Sequence, residues 1–309
     1  MLIEKRIKGF GFALLATIAG STVYIFSKAA LIQITLPQFG FYWFSLALVW
    51  NILFAYITPE HRSFRTVSRN SLKTLTLIGI IEIVATSTFY GAISVAGNAA
   101  IPSFLRNMEY IFVALMGVIL LGERFSRMEL VGVILTFTGV LVISYHKETT
   151  LFSFLTGSSG LMIICTIFYA MRTITAKKHI EKVTPVMLAI SRAFFLLLFS
   201  VLALLLLKQN LSIPLNALLN IVIGSFLGPF LTSLGQYNAL KYIEASKSAI
   251  IQSTTALFVL LGAYLYFGRF PMGYQIAGGL LTIAGAILLV IGRKLHFFNH
   301  IFSKQTKSI

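Results

Sequence analysis

Apolar residues run in blocks of about twenty, and polar residues collect in short breaks between them. About twenty apolar residues in a helix span the hydrocarbon of a bilayer. By that measure the chain predicts ten spanning helices, near 9–31, 38–58, 74–96, 99–121, 128–145, 155–176, 183–206, 216–240, 246–267 and 272–292. Pro37, Pro185 and Pro214 fall near the starts of the second, seventh and eighth, where a missing backbone donor is harmless. The leader MLIEKRIKG precedes an apolar run that ends at Lys28. A cleaved signal peptide is the alternative; the weak cleavage flank SKAAL and the nine further spans favour a retained first helix. The breaks are short, so no soluble domain is inserted.

Composition agrees with that pattern. Of 309 residues, 57% are hydrophobic and 11% charged, with mean hydropathy +0.88. A soluble domain carries about 25% charged residues, so this chain has too little polar surface for water. It holds 25 Lys and Arg against nine acids, all of them Glu. A net charge of +16 could attract nucleic acid, but the basic residues sit in loops, where they orient helices and meet anionic lipid. Nucleic-acid binding is therefore not expected; membrane lipids and a small solute are the expected partners. The single Cys165 lies in an apolar segment and forms no internal disulfide.

Loop charge gives orientation. With the amino terminus inside, 18 Lys and Arg fall on the inner side and three, Lys147, Lys208 and Arg269, on the outer. This positive-inside bias predicts ten spans with both termini in the cytoplasm, in the inner membrane of a cell. The tail 293–309, rich in Lys, His and Phe, reads as a cytoplasmic end, either partly disordered or lying on the membrane surface.

The chain also repeats itself. At an offset of 146, Gly122 matches Gly268, Gly132 matches Gly278, Thr136 matches Thr282 and Gly139 matches Gly285. Tyr90-Gly-Ala92 resembles Tyr237-Asn-Ala239 at an offset of 147. Two units follow, 1–146 and 147–292. Five helices per unit is an odd number, so the second runs through the membrane in the opposite sense. The expected fold is all-α and polytopic: ten transmembrane helices in two inverted five-helix repeats, an arrangement suited to alternating access. The glycines of the fifth and tenth helices (Gly132, Gly139, Gly278, Gly279, Gly285) are expected at close helix contacts. The aromatic surplus, 27 Phe and 12 Tyr, is expected mainly on lipid-facing and interfacial surfaces.

These features resemble the drug/metabolite transporter superfamily, specifically its EamA type of two tandem five-helix units. Tyr237-Asn-Ala-Leu-Lys-Tyr-Ile-Glu-Ala-Ser246 closely matches that family's Tyr-x-Ala-Leu-x-x-Ile-x-Ala-Ser pattern, and Leu121-Gly122-Glu123 before a glycine-rich helix is similar to it. Arg192 resembles an arginine the family often carries in the seventh helix. The chain departs from the family at Arg269, where a Glu is usual, and at Tyr42-Trp43-Phe44, where an arginine is often seen. Arg106 and Glu109 are not general family features. The resemblance implies the architecture, and transport without a cofactor; it does not imply a substrate.

Ionisable residues inside spans are costly and mark function or pairing, each charge at a helix centre costing about 2.5–3.5 kcal/mol on insertion scales. Glu82 stands among Ile81, Ile83 and Val84. It either carries a proton or pairs with Arg106, Arg172 or Arg192. Arg106 and Glu109 are three apart, on one helix face. They either neutralise each other or bind solute, Arg106 gripping a carboxylate or phosphate with its fork and Glu109 an amine or a proton. Tyr90 and Asn107 could add hydrogen bonds, and Arg192 is the deeper cavity candidate. Gln236, Tyr237, Asn238 and Gln252 are the second-half counterparts, Gln252 aligning with Arg106, or else helix–helix contacts. Arg172 and Lys28 are expected to snorkel toward the interfaces. Glu123 beside Arg124 and Arg127 reads as a cytoplasmic salt-bridge node.

A cavity charged on one side and amide-lined on the other suits an amino-acid-like or other polar or amphiphilic metabolite, and export is the expected direction. Uptake of a nucleotide-like or other charged metabolite is the alternative. No P-loop is present, the chain has no Asp, and the five His show no ligand spacing, so neither an enzyme nor a metal site is expected. Monomer and homodimer are both open.

Overall fold

The computed structural model of the chain describes residues 2–58, 68–121, 127–144, 157–179, 183–243, 248, 251–268 and 270–305. Among these residues every regular element is helical. The elements are α1 Leu2–Leu31, α2 Leu36–Ile57, α3 Arg69–Val95, α4 Ala100–Leu105, α5 Met108–Leu121, α6 Arg127–Ser144, α7 Ser158–His179 and α8 Pro185–Leu206. Then come α9 Leu215–Ser225, a π-helical turn Phe226–Thr232, α10 Ser233–Tyr242, α11 Thr255–Phe267 and α12 Gly273–Gln305. Among the described residues six apolar stretches are long enough to cross a bilayer: Ile7–Leu31, Leu36–Ile57, Arg69–Val95, Ser158–Ala176, Pro185–Leu206 and Leu215–Ala239. Ile251–Phe267 and Gly273–Leu289 are shorter apolar helices.

Local chemistry sets the ends. Thr35 caps α2 in a reciprocal box with Gln38, and Pro37 sits in the first turn. Ser68 caps α3, and Thr184 caps α8 ahead of Pro185. Gly268 ends α11 with φ +66°, a left-handed backbone that glycine adopts without strain. The backbone of α12 stays helical to Gln305, and no Gly or Pro follows Gly292 to stop it.

Two helical stretches change pitch at matching places. Between α4 and α5, Asn107 N–H bonds Phe104 O (3.1 Å) and Glu109 N–H bonds Arg106 O (3.0 Å). Ahead of α11, Thr254 N–H bonds Ile251 O (3.1 Å) and Leu257 N–H bonds Thr254 O (3.0 Å). These three-residue bonds tighten the helix locally, a form that often marks a hinge. The π-helical turn between α9 and α10 contains Pro229, whose missing donor and bulky ring disrupt an α-helical ladder.

The bundle is held by paired helices. α6 packs on α12, α3 on α7, α2 on α8, and α1 along α9, α10 and α11. The α6–α12 contact is backbone on backbone. A Cβ on Gly132 would lie 2.7 Å from Gly285 O, and one on Gly278 would lie 2.8 Å from Gly139 O. The two helices can meet this closely only without side chains there, as expected.

Leu205, Leu206 and Leu265 are more than two-thirds exposed, Leu265 at 74%; such faces are neutral in hydrocarbon. One group of aromatic residues turns inward. Tyr24, Phe39, Trp43, Phe44, Phe89, Tyr90, Phe104 and Tyr169 are all buried in the main core, with Phe39 4.7 Å from Trp43 and 4.8 Å from Tyr90, ring centre to ring centre.

Candidate functional site

The polar centre is a chain of charges in the order Arg192, Glu82, Arg172, Glu109, Arg106, drawn from α3, α7, α8 and the α4–α5 stretch. Glu82 comes from α3, one turn before Thr86 on the same face. It is fully buried. Its Oε1 accepts from Arg172 Nη1 at 3.1 Å, and its Oε2 lies 3.1 Å from Arg192 Nε and accepts from Thr86 Oγ1 at 2.7 Å. Arg192, from α8, also donates from Nη2 to Thr86 Oγ1 (3.3 Å) and from Nη1 to Ser233 Oγ on α10 (3.4 Å). Both carboxylate oxygens of Glu82 are thus occupied.

Glu109, in the first turn of α5, takes the next links. Its Oε2 accepts from Arg106 Nε at 2.9 Å. Its Oε1 accepts from Thr173 Oγ1 at 3.1 Å and lies 3.8 Å from Arg172 Nη2. Arg106 sits in the tightened turn between α4 and α5, with its guanidinium carbon 4.0 Å from the centre of the Tyr169 ring and 5.5 Å from that of Phe89. Arg172 also lies over Tyr169, at 4.5 Å. Cation–π contact of this kind is worth about 2 kcal/mol when desolvated, and it fixes the plane of each guanidinium.

Of the residues singled out from the sequence, Glu82, Arg106, Glu109 and Arg192 enter this chain directly. Tyr90 lies beside it within electrostatic reach of Arg192 and Glu82, packed among Phe39, Trp43, Phe44 and Phe89. Tyr237 stands within the same reach of Arg172, Glu82 and Arg192. Asn107 instead donates to Thr282 Oγ1 on α12 at 3.3 Å. Gln236 bonds Gln252 at 2.9 Å, and Gln252 bonds Ser248 at 2.8 Å. Asn238 bonds Leu234 O of its own helix at 2.8 Å. The Asn107–Thr282 and Gln236–Gln252 bonds tie helices together, whereas the Asn238 bond is local to its own helix.

One expectation is corrected. Arg172 does not snorkel: its side chain is 11% exposed and bridges both glutamates, because a guanidinium between two buried carboxylates is better placed than one stretched to the interface. Lys28, at the end of α1, donates from Nζ to Ser94 O (2.9 Å) and Ala96 O (2.6 Å) at the carboxyl end of α3, where the helix dipole is negative. Beside Lys28 a cavity of about 490 Å³ is lined by Ile32, Asn98, Ala99, Ala263 and Phe267. Gly122, Glu123, Arg124, Glu244 to Lys247 and Arg269 lie outside the described residues.

Tyr169, Thr86, Thr173 and Ser233 also belong to the site without having been singled out. One signal was available. Met162, Cys165, Tyr169, Arg172 and Ala176 fall at helical spacing along α7, and the four apart from Arg172 are buried, so Arg172 shares the inward stripe.

The chain's similarities bear on this geometry. The sequence profile of the EamA-like transporter family matches residues 7–145 and again 158–291. A protein of Archaeoglobus fulgidus named "Uncharacterized transporter" is 25% identical over 223 residues, covering 70% of this chain and 74% of that one. A solved crystal structure superposes on 94% of this chain and 98% of its own, with a TM-score of 0.64 at 13% identity, a likeness of fold alone.

Proposed function

The chain belongs to the EamA-like transporter family, and from that premise we propose that it moves a small organic metabolite across the cytoplasmic membrane by alternating access. It is a membrane transporter; the solute, direction and mechanism are our reading. The observation that carries it is the Arg106–Glu109 pair at 2.9 Å, set in a tightened helical turn beside Tyr169, Phe89 and Arg172. Helix breaks at membrane depth are tolerated where the backbone lines protein or a cavity, and transporter sites are built at such breaks.

We take the halves to be 1–146 and 147–292, inverted and exchangeable, ten spans in all with 293–309 as a cytoplasmic tail. Three observations support this. The family profile matches twice. Gly132 meets Gly285 while Gly139 meets Gly278, the reciprocal contact that a twofold axis between matched helices produces. The first span packs on the eighth and the third on the sixth, pairings that swap when each span is exchanged for its counterpart.

Arg106 is assigned to an acidic group of the solute, with Tyr90 and Tyr237 as walls. The saturation of Glu82 supports its pairing role over proton carriage. Gln236, Asn238, Gln252 and Asn107 are assigned to helix contacts. The function is carriage, with no catalytic step. The solute is amino-acid-like or a simpler organic acid, and export is the expected direction, in an inner membrane.

The test is counterflow in proteoliposomes against organic acids, amino acids and nucleotides. Wild type should exchange a solute that Arg106→Gln, still folded, does not. Exchange kept in Arg106→Gln would remove Arg106 from the site. Orientation is checked with single cysteines at Lys8 and Arg293. Both should react with impermeant maleimide only from the cytoplasmic side, against a silent background from buried Cys165.

A further inference from the structure

The charges at the site do not balance, and the imbalance names a substrate class. Among the described residues the chain holds three guanidiniums and two carboxylates, an excess of one positive charge. Charges out of water need a partner. Glu82 cannot supply more, since Arg172, Arg192 and Thr86 already occupy both its oxygens. Arg106 and Arg192 each reach a carboxylate only through Nε. At 24% the side chain of Arg106 is the most exposed of the three arginines, so the Arg106 end is where a ligand can meet the excess.

Arg106 is also shaped for one kind of ligand. Tyr169 covers a face of its guanidinium at 4.0 Å. A ligand must then approach in the plane, along the edge where the Nη donors match the two oxygens of a carboxylate. Glu109 holds the Nε side of that plane at 2.9 Å, and it has a second place to go: its Oε1 is held by Thr173 at 3.1 Å and lies 3.8 Å from Arg172.

We propose that the solute is a monocarboxylate of net charge −1, and that Glu109 is an internal stand-in which the solute carboxylate displaces from Arg106. Resting on the transport reading above, this selects the organic acid over the zwitterionic amino acid. An amino acid brings no net charge and leaves the excess in place. A net anion neutralises the cluster and lets Glu109 close on Arg172.

The experiment compares matched pairs on the purified full-length protein: 3-phenylpropanoate with phenylalanine, and 4-methylpentanoate with leucine. Thermal unfolding reports binding by mass action. The acid of at least one pair should raise the melting point of wild type, with an affinity at least tenfold above its amino acid. Glu109→Gln should bind the acid three- to tenfold more tightly, and Arg106→Gln should lose it. An amino acid that binds as tightly as its acid would overturn the proposal, and so would stabilisation by neither. The wild-type comparison stands even where a variant does not fold. Proteoliposomes separate the two readings. Exchange of amino acids without acids sinks this inference alone, and failure to exchange any solute sinks transport itself.

Discussion

Arg172 Nη1 donates to Glu82 Oε1 across 3.1 Å, joining α7 to α3 at a carboxylate with no exposed surface. Removing one partner of a buried pair leaves the other uncompensated and costs about 3–5 kcal/mol. Arg192 still holds Glu82, so Arg172→Met should cost about 3 kcal/mol, near the low end of that range. A cycle with Glu82→Gln should show a coupling of about 2 kcal/mol by unfolding in detergent. Strict additivity would mean that the two side chains do not share an ion pair.

Backbone contact between α6 and α12 makes a second prediction. Gly132→Val and Gly278→Val place carbon against carbonyl oxygens that cannot move aside, and each should lose at least about 1–3 kcal/mol. Gly11 has open space at its Cβ, so Gly11→Ala should be neutral or add up to about 1 kcal/mol. Melting points of the three variants, measured together, check the contrast.

Lys28→Met removes two donors from the carboxyl end of α3. Hydrogen bonds involving a charged group contribute about 1.5–3 kcal/mol when buried; Lys28 is partly exposed, so a loss of about 1 kcal/mol is expected. Hydrogen exchange should rise first at the last turn of α3. Unchanged protection there would show that the lysine does not hold the helix end.

The Gln236–Gln252 bond at 2.9 Å joins two spans. Such bonds average about 0.6 kcal/mol in membranes, so Gln252→Ala should destabilise by about that much. A loss of solute binding as complete as that of Arg106→Gln would return Gln252 to the site.

A monoanion leaving the cell travels with the membrane potential. A potential of about 100 mV, inside negative, acts on one charge with about 2.3 kcal/mol, an outward bias of about fiftyfold. In proteoliposomes, an inside-negative potassium diffusion potential should speed efflux of the transported acid and reverse effect when inverted. Efflux indifferent to the potential would require a compensating ion.

The hydropathy blocks, their charge bias and the glycine repeat are local properties of the sequence, fixed by bilayer thickness and by where backbones must touch. The six long apolar helices, the starts at Pro37, Pro185 and Pro214, the family and the Arg106–Glu109 pair were therefore legible in it. Which face of each helix turns inward was decided by tertiary packing. A rotation of one helix by half a turn would send Arg172 to lipid, and nothing in its immediate neighbours, Met171 and Thr173, forbids that. Only the approach of α3, α5 and α7 brings Glu82 and Glu109 to either side of Arg172, and the low dielectric between them makes that rotation the stable one.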